Sequence, residues 1–311
     1  MQLYLDKKSL EVYKALASDT RLEILKRLAD SPSTTTDLAR DMQLSKAIMS
    51  RHLTLLEDAG LIRPSHSQDA SDNRKKIYTL RVDNINIEFP KRVYLPYKKK
   101  EYEVKVGYYS DFSVWPSCGL ASKDNYIGKL DDPRTFVLNE RIKASILWFS
   151  DGYVEYKIPN NLESCQSPET LELSMEIASE FPISANVWPS DITFSINGIA
   201  VGTWTSPGNY SDVRGTLTPS WWNDSHSQYG LLKHLRITNH DTGIDGEKLS
   251  DVTLSDLKLN DTPFITVRIG IERDAKNKGG ITLFGAHFGN HPQDILMNLY
   301  YSEKEDEKKS V

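Results

Sequence analysis

The sequence of 311 residues is poor in cysteine and has no long apolar run. Its two cysteines, Cys118 and Cys165, lie far apart, which excludes a disulfide framework, and we expect both thiols to be free in a reducing compartment. The apolar run SILWF is far too short to span a bilayer. The first residues, MQLYLDKKSLEVYKAL, lack the central apolar region of a signal peptide. We therefore expect a cytoplasmic protein with no membrane partner.

Common enzyme signatures are missing as well. The sequence contains no G-x-S-x-G, no G-x-x-x-x-G-K and no C-x-x-C. His287 and His291 are four residues apart, but the surrounding glycines and proline argue against a helix that would bring both onto one metal ion. We therefore expect no enzymatic activity, no metal site and no cofactor. Carboxylates are plentiful, and a glycosidase pair cannot be recognised from spacing alone, so a glycoside hydrolase stays open as an alternative.

The strongest pattern is in residues 44–62, LSKAIMSRHLTLLEDAGLI. Ser45 suits a helix N-cap, because its hydroxyl can accept from a free amide of the first turn, and Gly60 stands where a C-cap glycine belongs. One helical face carries an apolar stripe: Met49, Leu53 and Leu56. The other face carries small, hydroxyl and cationic side chains: Lys46, Ala47, Ser50 and Arg51. Such a helix fits the major groove of DNA, and an ordinary amphipathic helix is the alternative.

Two further helices are predicted upstream, and together they complete a helix-turn-helix pattern. A T-x-x-E capping box of Thr20 and Glu23 opens the first of them. Leucines follow in it at every third position: Leu22, Leu25 and Leu28. Thr34 and Asp37 open the second in a similar way, and a short connection then leads to Ser45.

A β-hairpin is predicted after Gly60, where LIRPSHS and KKIYTL indicate two strands joined by the polar loop QDASDNR. Pro64 lacks an amide donor, so its strand should lie at an edge. This hairpin would be the wing of a winged helix, and its cations would contact a phosphate or the minor groove. The full set of predicted DNA-binding residues is Thr34, Thr35, Ser45, Lys46, Ala47, Ser50, Arg51, Arg74, Lys75 and Lys76.

Residues 9–81 resemble the ArsR-type winged-helix transcriptional regulators. The resemblance rests on LASDTRLEILKRL, TTTDLARDMQLSKAIMSRHLTLLEDAGLI and NRKKIYTL. It implies a homodimer that binds operator DNA, usually as a repressor released by a ligand. Two departures matter: the helix TTTDLARDM lacks the Cys-x-Cys pair that metal sensors carry there, and the strand-like RVDNINIEFPKRVYLP replaces the C-terminal dimerising helix. We therefore expect no metal sensing, and a dimer interface built partly elsewhere.

The charge is unevenly distributed along the chain. Residues 1–82 carry 14 Lys and Arg against 11 Asp and Glu, a net charge of +3, whereas the remainder carries 24 against 32, a net charge of −8. A locally basic face can bind DNA while an acidic body limits non-specific attachment.

From about residue 83 the apolar period changes from 3.6 to 2. In TLELSMEI the apolar residues face one way, and Glu172, Ser174 and Glu176 should form a solvated face. Asn197-Gly198 supplies a type I′ hairpin turn. We predict an α+β two-domain chain: a winged helix at 1–82, an antiparallel β-sandwich of the jelly-roll kind at 83–302, and a charged disordered tail at 303–311.

The segment FSINGIAVGTWTSPGNY resembles the hairpin of galactose-binding-like jelly rolls, where it is largely structural. Aromatic residues cluster near it, among carboxylate, amide and guanidinium groups, as in sugar sites. The predicted ligand-binding residues are Asp132, Arg134, Trp204, Tyr210, Arg214, Trp221 and Trp222. The alternative is that Trp221 and Trp222 cap the core and that Arg134 only pairs with an aspartate.

These patterns favour a DNA-binding transcriptional regulator, with repression as the expected effect. Its β-sandwich would sense a small molecule, for which we hypothesise a carbohydrate, and would help to form a homodimer. In the alternative, the sandwich is only a dimerisation or protein-interaction module.

Overall fold

The computed structural model divides the chain into two compact units, Met1–Val93 and Tyr94–Val311. The first extends beyond the predicted boundary at residue 82, because a strand at Asn86–Glu88 pairs with Gln2–Tyr4. The residues described are 1–66, 76–82, 84–89, 97–183 and 185–303. Arg74, Lys75 and residues 304–311 of the predicted tail lie outside them.

The N-terminal unit contains four helices and five short strands in its described part. The helices are α1 (Leu10–Leu16), α2 (Asp19–Asp30), α3 (Thr35–Asp41) and α4 (Lys46–Asp58). The strands are β1 (Gln2–Tyr4), β2 (Ser33–Thr34), β3 (Ile62–His66), β4 (Lys76–Leu80) and β5 (Asn86–Glu88). The order β2-β4-β3 forms an antiparallel sheet that contains the predicted hairpin, and Pro64 lies on its edge strand as expected.

Local caps set the two ends of α4. The Ser45 hydroxyl accepts from the amide of Ile48 at 3.2 Å, as the sequence predicts. Gly60 has a φ of +71°, and beyond it the Leu61 amide donates to the Leu56 carbonyl at 3.0 Å, which closes α4 as a Schellman motif.

Two details of α2 were predicted wrongly. The helix begins at Asp19 after Ser18, and no side chain caps it, so Thr20 and Glu23 form no capping box. Leu22 is 48% exposed and Ile24 fills the core in its place, whereas Leu28 of the same leucine pattern is buried. The three-residue spacing of leucines therefore described only part of the buried face.

The core of the N-terminal unit lies under α4. Met49, Leu53 and Leu56 have no exposed surface, as the apolar stripe predicts, and they cluster with Ile24 and Leu38. Burial of each such side chain contributes about 1.5–3 kcal/mol, so the stripe fixes which face of α4 points outward.

The C-terminal unit is an antiparallel β-sandwich. Its strands are β6 (Lys98–Val104), β7 (Asp111–Ala121), β8 (Tyr126–Ile127), β9 (Ile146–Pro159), β10 (Gln166–Ala178), β11 (Ser190–Ile196), β12 (Ile199–Ser206), β13 (Leu231–Thr238), β14 (Thr242–Ile244), β15 (Glu247–Ser250), β16 (Phe264–Gly270), β17 (Ile281–Phe284) and β18 (Ile295–Glu303). Its described helices are short: α5 (Leu254–Leu257) and 3₁₀ turns at Pro133–Val137, Asn139–Lys143 and Leu259–Asp261.

Two long strands connect the layers of the sandwich. The first half of β9 pairs with β17 and its second half with β16, while β7 follows it on the other side. β10 pairs with β17 at its end and with β13 and β18 along its length. The hairpin β11–β12 turns at Asn197 (φ 49°) and Gly198 (φ 80°), which confirms the type I′ prediction.

The prediction of a solvated face on β10 is wrong. Glu172, Ser174 and Glu176 are all buried, and Glu176 has no exposed surface. A second layer of loops covers this outer face, and a small apolar cluster lies between those loops and the strands. The members of that cluster are Ala121, Ile146, Ala178, Trp222, Phe284 and Phe288.

Candidate nucleic-acid interface and ligand face

The outer face of α4 is the candidate nucleic-acid interface. All four residues predicted there are exposed: Lys46, Ala47, Ser50 and Arg51. At 100° per residue, Ala47 and Arg51 lie roughly 150–170° from the centre of the buried stripe, whereas Lys46 lies only roughly 50° from it. Arg51 is therefore central to the outer face and Lys46 flanks it.

The two cations of this face, Lys46 and Arg51, are free to bind an external group. Within the described ranges neither Lys46 nor Arg51 forms an ion pair, whereas Arg40 on α3 pairs with Asp37 at 3.2 Å. An unpaired guanidinium can donate two parallel hydrogen bonds to a guanine edge or a phosphate.

Three other predicted contact residues have structural roles in the unit. Ser45 caps α4, and the Thr34 hydroxyl accepts from the Asp37 amide at 3.2 Å and donates to its carboxylate at 2.6 Å. Lys76 pairs with Glu57 at 2.9 Å, and this hydrogen bond raises the pKa of Lys76. Thr35 is half-buried in the first turn of α3.

Sequence analysis missed two apolar side chains and one hydroxyl on this helix. Ile48 and Leu55 are exposed and lie seven residues apart on one flank of the outer face, and Thr54 is also exposed. The sequence could have indicated the two apolar side chains, because Ile48 and Leu55 lie outside the stripe of Met49, Leu53 and Leu56. Exposed methyl groups beside an arginine suit contact with thymine methyl groups.

His52 lies beneath the interface. Burial, with help from Arg21 and Arg51, lowers its pKa, and its Nδ1 atom is buried without a hydrogen-bond partner among the described residues. The partly buried ring therefore belongs to the packed side of α4.

The predicted ligand-binding residues do not form one site. Asp132 and Arg134 pair with each other at 2.7 Å, and this contact lowers the pKa of Asp132 to about 2. Trp204 packs under Lys233, whose Nζ is 4.7 Å from the ring centre. Tyr210 stacks on another ring of its own loop.

The remaining three are brought together. Arg214 donates to the Trp222 carbonyl at 3.0 Å, and the rings of Trp221 and Trp222 meet edge to face at 5.5 Å. Trp222 is 4% exposed and belongs to the small outer cluster, whereas Trp221 is half-buried at its margin. Tyr126 packs against both tryptophans.

Two buried carboxylates on this outer face were not predicted. Glu176 accepts from the amides of Gly230, Asn290 and His291 at 2.8–3.0 Å. Glu180 accepts from hydroxyls instead. Burial raises the pKa of each to about 7, against the opposing effect of these donors.

A groove of about 580 Å³ opens elsewhere on the sandwich. Residues near the end of β9, the start of β16 and the turn between β11 and β12 line it. Lys157 and Lys258 line it beside two aspartates, and Lys157 lies over the ring of Phe264. None of the predicted ligand-binding residues lines this groove.

The described ranges contain no group of three or more His, Cys, Asp or Glu side chains that could hold a metal ion. None of the helices in those ranges is long and apolar enough to cross a membrane.

The N-terminal unit is a winged helix-turn-helix. Its residues 18–63, which include α2, α3 and α4, match the family model described as bacterial regulatory protein, arsR family. Among solved structures, HlyU from Vibrio cholerae N16961 is 29% identical, over 24% of this chain and 80% of HlyU, with a TM-score of 0.21. By the family model, residues 18–63 therefore carry the pattern of an arsR-type helix-turn-helix.

Other solved structures align with the remainder of the chain. The CBM36-1 domain of a multidomain xylanase from the hindgut metagenome of Trinervitermes trinervoides is 10% identical, over 64% of this chain and 96% of that domain, with a TM-score of 0.29. A carbohydrate-binding module CBM36 in complex with calcium and xylotriose is 11% identical, over 65% and 99%, with a TM-score of 0.26. No curated protein matches the chain.

Proposed function

We propose that this protein is a DNA-binding transcriptional regulator, acting as a repressor, whose β-sandwich senses a small molecule. The observation that carries the proposal is the orientation of α4. Its apolar stripe is fully buried, and Arg51, which forms no ion pair with any described residue, stands at the centre of the opposite, exposed face. This is the arrangement that a recognition helix needs in the major groove.

The regulator is proposed to act as a homodimer through its N-terminal unit. Large apolar side chains are exposed there on α1, on β1 and around β5: Tyr4, Leu5, Leu10, Ile87 and Phe89. Such a set is more than isolated exposed residues, and a second copy would cover it.

A single substitution tests this interface. Leu10→Glu should convert a dimer to a monomer in light scattering, because it places a charge in an apolar contact. Leu22→Glu, at another exposed leucine of the same unit, is the control and should remain dimeric. A wild-type monomer at working concentration would contradict the dimer.

A carbohydrate is the proposed effector, since half-buried aromatic rings and carboxylates share the outer face of the sandwich. The alternative function, a protein-interaction module, is favoured by a different observation. Trp115, Ile183 and Val187 are exposed apolar side chains at 62%, 63% and 86%.

The decisive experiment is selection of duplexes from a random library by the full chain. We expect an enriched, pseudo-symmetric sequence whose affinity falls with rising salt, because phosphate contacts release counterions. Absence of binding to any duplex at low salt would overturn the proposal. Release of the selected duplex by a sugar would support sensing, and no release by any sugar would favour the interaction module.

A further inference from the structure

The small apolar cluster on the outer face of the sandwich has a margin of half-buried aromatic side chains that pack against its buried members. Trp148 of β9 lies there, half-buried, across Gly119 of β7: a Cβ on that glycine would stand 2.3 Å from the indole. The ring of Trp148 also packs against Tyr126 at 6.5 Å and Trp222 at 5.8 Å. With the half-buried Trp221, these rings form an aromatic wall.

A carboxylate stands beside this wall. Thr282 of β17 is the cross-strand partner of Trp148, so the two side chains lie on the same face as direct neighbours. The Thr282 hydroxyl donates to Oε2 of Glu180 at 3.0 Å, and the Ser117 hydroxyl donates to Oε1 at 3.2 Å. The wall and the carboxylate are therefore separated by one threonine.

The electrostatics of the margin favour a ligand that donates hydrogen bonds. In the described part of the chain, no cation pairs with Glu180. The exposed Asp131, which accepts from the Cys118 amide at 3.0 Å, adds negative charge and helps to raise the pKa of Glu180. Carboxylate and hydroxyl oxygens can accept from several ligand hydroxyls.

We propose that this margin, formed by Trp148, Tyr126, Trp221, Ser117 and Glu180, binds one neutral sugar residue. The aromatic wall would meet the apolar face of a pyranose, and Glu180 and Ser117 would bind its hydroxyls. The assignment rests on the proposed sensing function and gives it a location. It also revises the predicted site: Trp221 stays, and Trp204, Tyr210 and the Asp132–Arg134 pair fall outside.

Titration of the full chain with neutral disaccharides tests the proposal. The probes are maltose, cellobiose, lactose, sucrose, trehalose and xylobiose, followed by tryptophan fluorescence. We expect at least one to bind with a Kd below about 1 mM. Ser117→Ala, which removes one hydroxyl, and Trp148→Phe, which shrinks the wall, should each weaken that binding by about tenfold or more.

Trp204→Phe is the matched control, because Trp204 is a half-buried tryptophan of the same unit away from the margin, and its binding should be unchanged. Thermal melting checks that each variant is folded. If Trp148→Phe does not fold, Ser117→Ala alone tests the site. No binding by any probe, or binding that both site variants leave unchanged, would overturn the proposal. Since duplex binding is measured on the same sample, its retention would show that the sugar site fails while DNA recognition stands.

Discussion

The removal of one guanidinium, Arg51→Ala, tests the recognition face most directly. The side chain projects from the centre of the exposed face of α4 and has no ion-pair partner among the described residues. Its loss therefore leaves no buried charge behind, and the fold of the unit should be unaffected. Any change in DNA affinity then reports the interaction with DNA itself.

The magnitude follows from the geometry of the arginine–base pair. A bidentate arginine–guanine pair contributes about 1–3 kcal/mol, which is roughly 5- to 150-fold in affinity. A dimer on two half-sites makes this pair once in each copy, so the total effect of the substitution becomes about 2–6 kcal/mol. The sequence preference should relax at one position of each half-site.

Lys46→Ala should behave differently, because Lys46 flanks the outer face. If Lys46 binds a phosphate, its removal weakens the binding of all duplexes about equally. It also reduces the slope of log affinity against log salt by about 1 for each phosphate that is no longer neutralised. Arg273→Ala, an exposed arginine of the C-terminal unit, is the control for net charge.

Fluorescence anisotropy with the selected duplex and with single-base variants of it measures the affinities of the wild type and of the three variants. Equal affinity and equal base preference for Arg51→Ala and the wild type would refute the orientation of α4 as the reading face. An equally large loss of affinity in Arg273→Ala and in Arg51→Ala would also refute it, because the effect would then come from net charge alone.

Three further predictions concern stability. Leu53→Ala should lower the free energy of unfolding of the N-terminal unit in urea by about 2–5 kcal/mol, because it opens a cavity at a fully buried position, whereas the exposed Leu22→Ala should change it by less than about 0.5 kcal/mol. Burial raises the pKa of Glu176 to about 7, so its contribution to stability is complete below the unfolded pKa of 4.5 and is lost as the pH rises to 7. In urea melts, the free energy of unfolding of the wild type should fall by about 3 kcal/mol over that range relative to Glu176→Gln, and a rise would contradict the assignment. Gly119→Ala should destabilise the sandwich by about 1–3 kcal/mol in thermal or urea melts, because its Cβ would overlap the indole of Trp148, and an unchanged midpoint would show that this ring is not packed as described.

The helix-turn-helix was predicted well because its signals are local. The hydroxyl of Ser45, the stripe ending at Leu56 and the positive φ of Gly60 each act within one or two turns, and a single sequence contains all of that information. The errors in α2 are also local: Ser18 precedes the helix without capping it, and tertiary packing selects Ile24 rather than Leu22 for the core.

The candidate ligand site was predicted less well because its composition depends on contacts between distant segments. Trp222 has the sequence context of a sugar-binding residue, yet it is buried in the small cluster under its own loop. Trp148 and Glu180 are 32 positions apart and become neighbours only because β17 lies between β9, which carries Trp148, and the end of β10, which Glu180 follows. No spacing rule in the sequence indicates that proximity.

The alternation in β10 shows how a correct strand pattern can still mislead about exposure. Alternating polar residues predict a wet face only if nothing covers the sheet. Here Glu176 accepts from three backbone amides of the covering loops, so its carboxylate anchors those loops to the strand. A hydrocarbon at that position would leave the amides of Gly230, Asn290 and His291 without their acceptor, at a cost of about 1–3 kcal/mol for each buried donor left unpaired. The polar residue is therefore required by the second layer of loops, which its carboxylate holds in place.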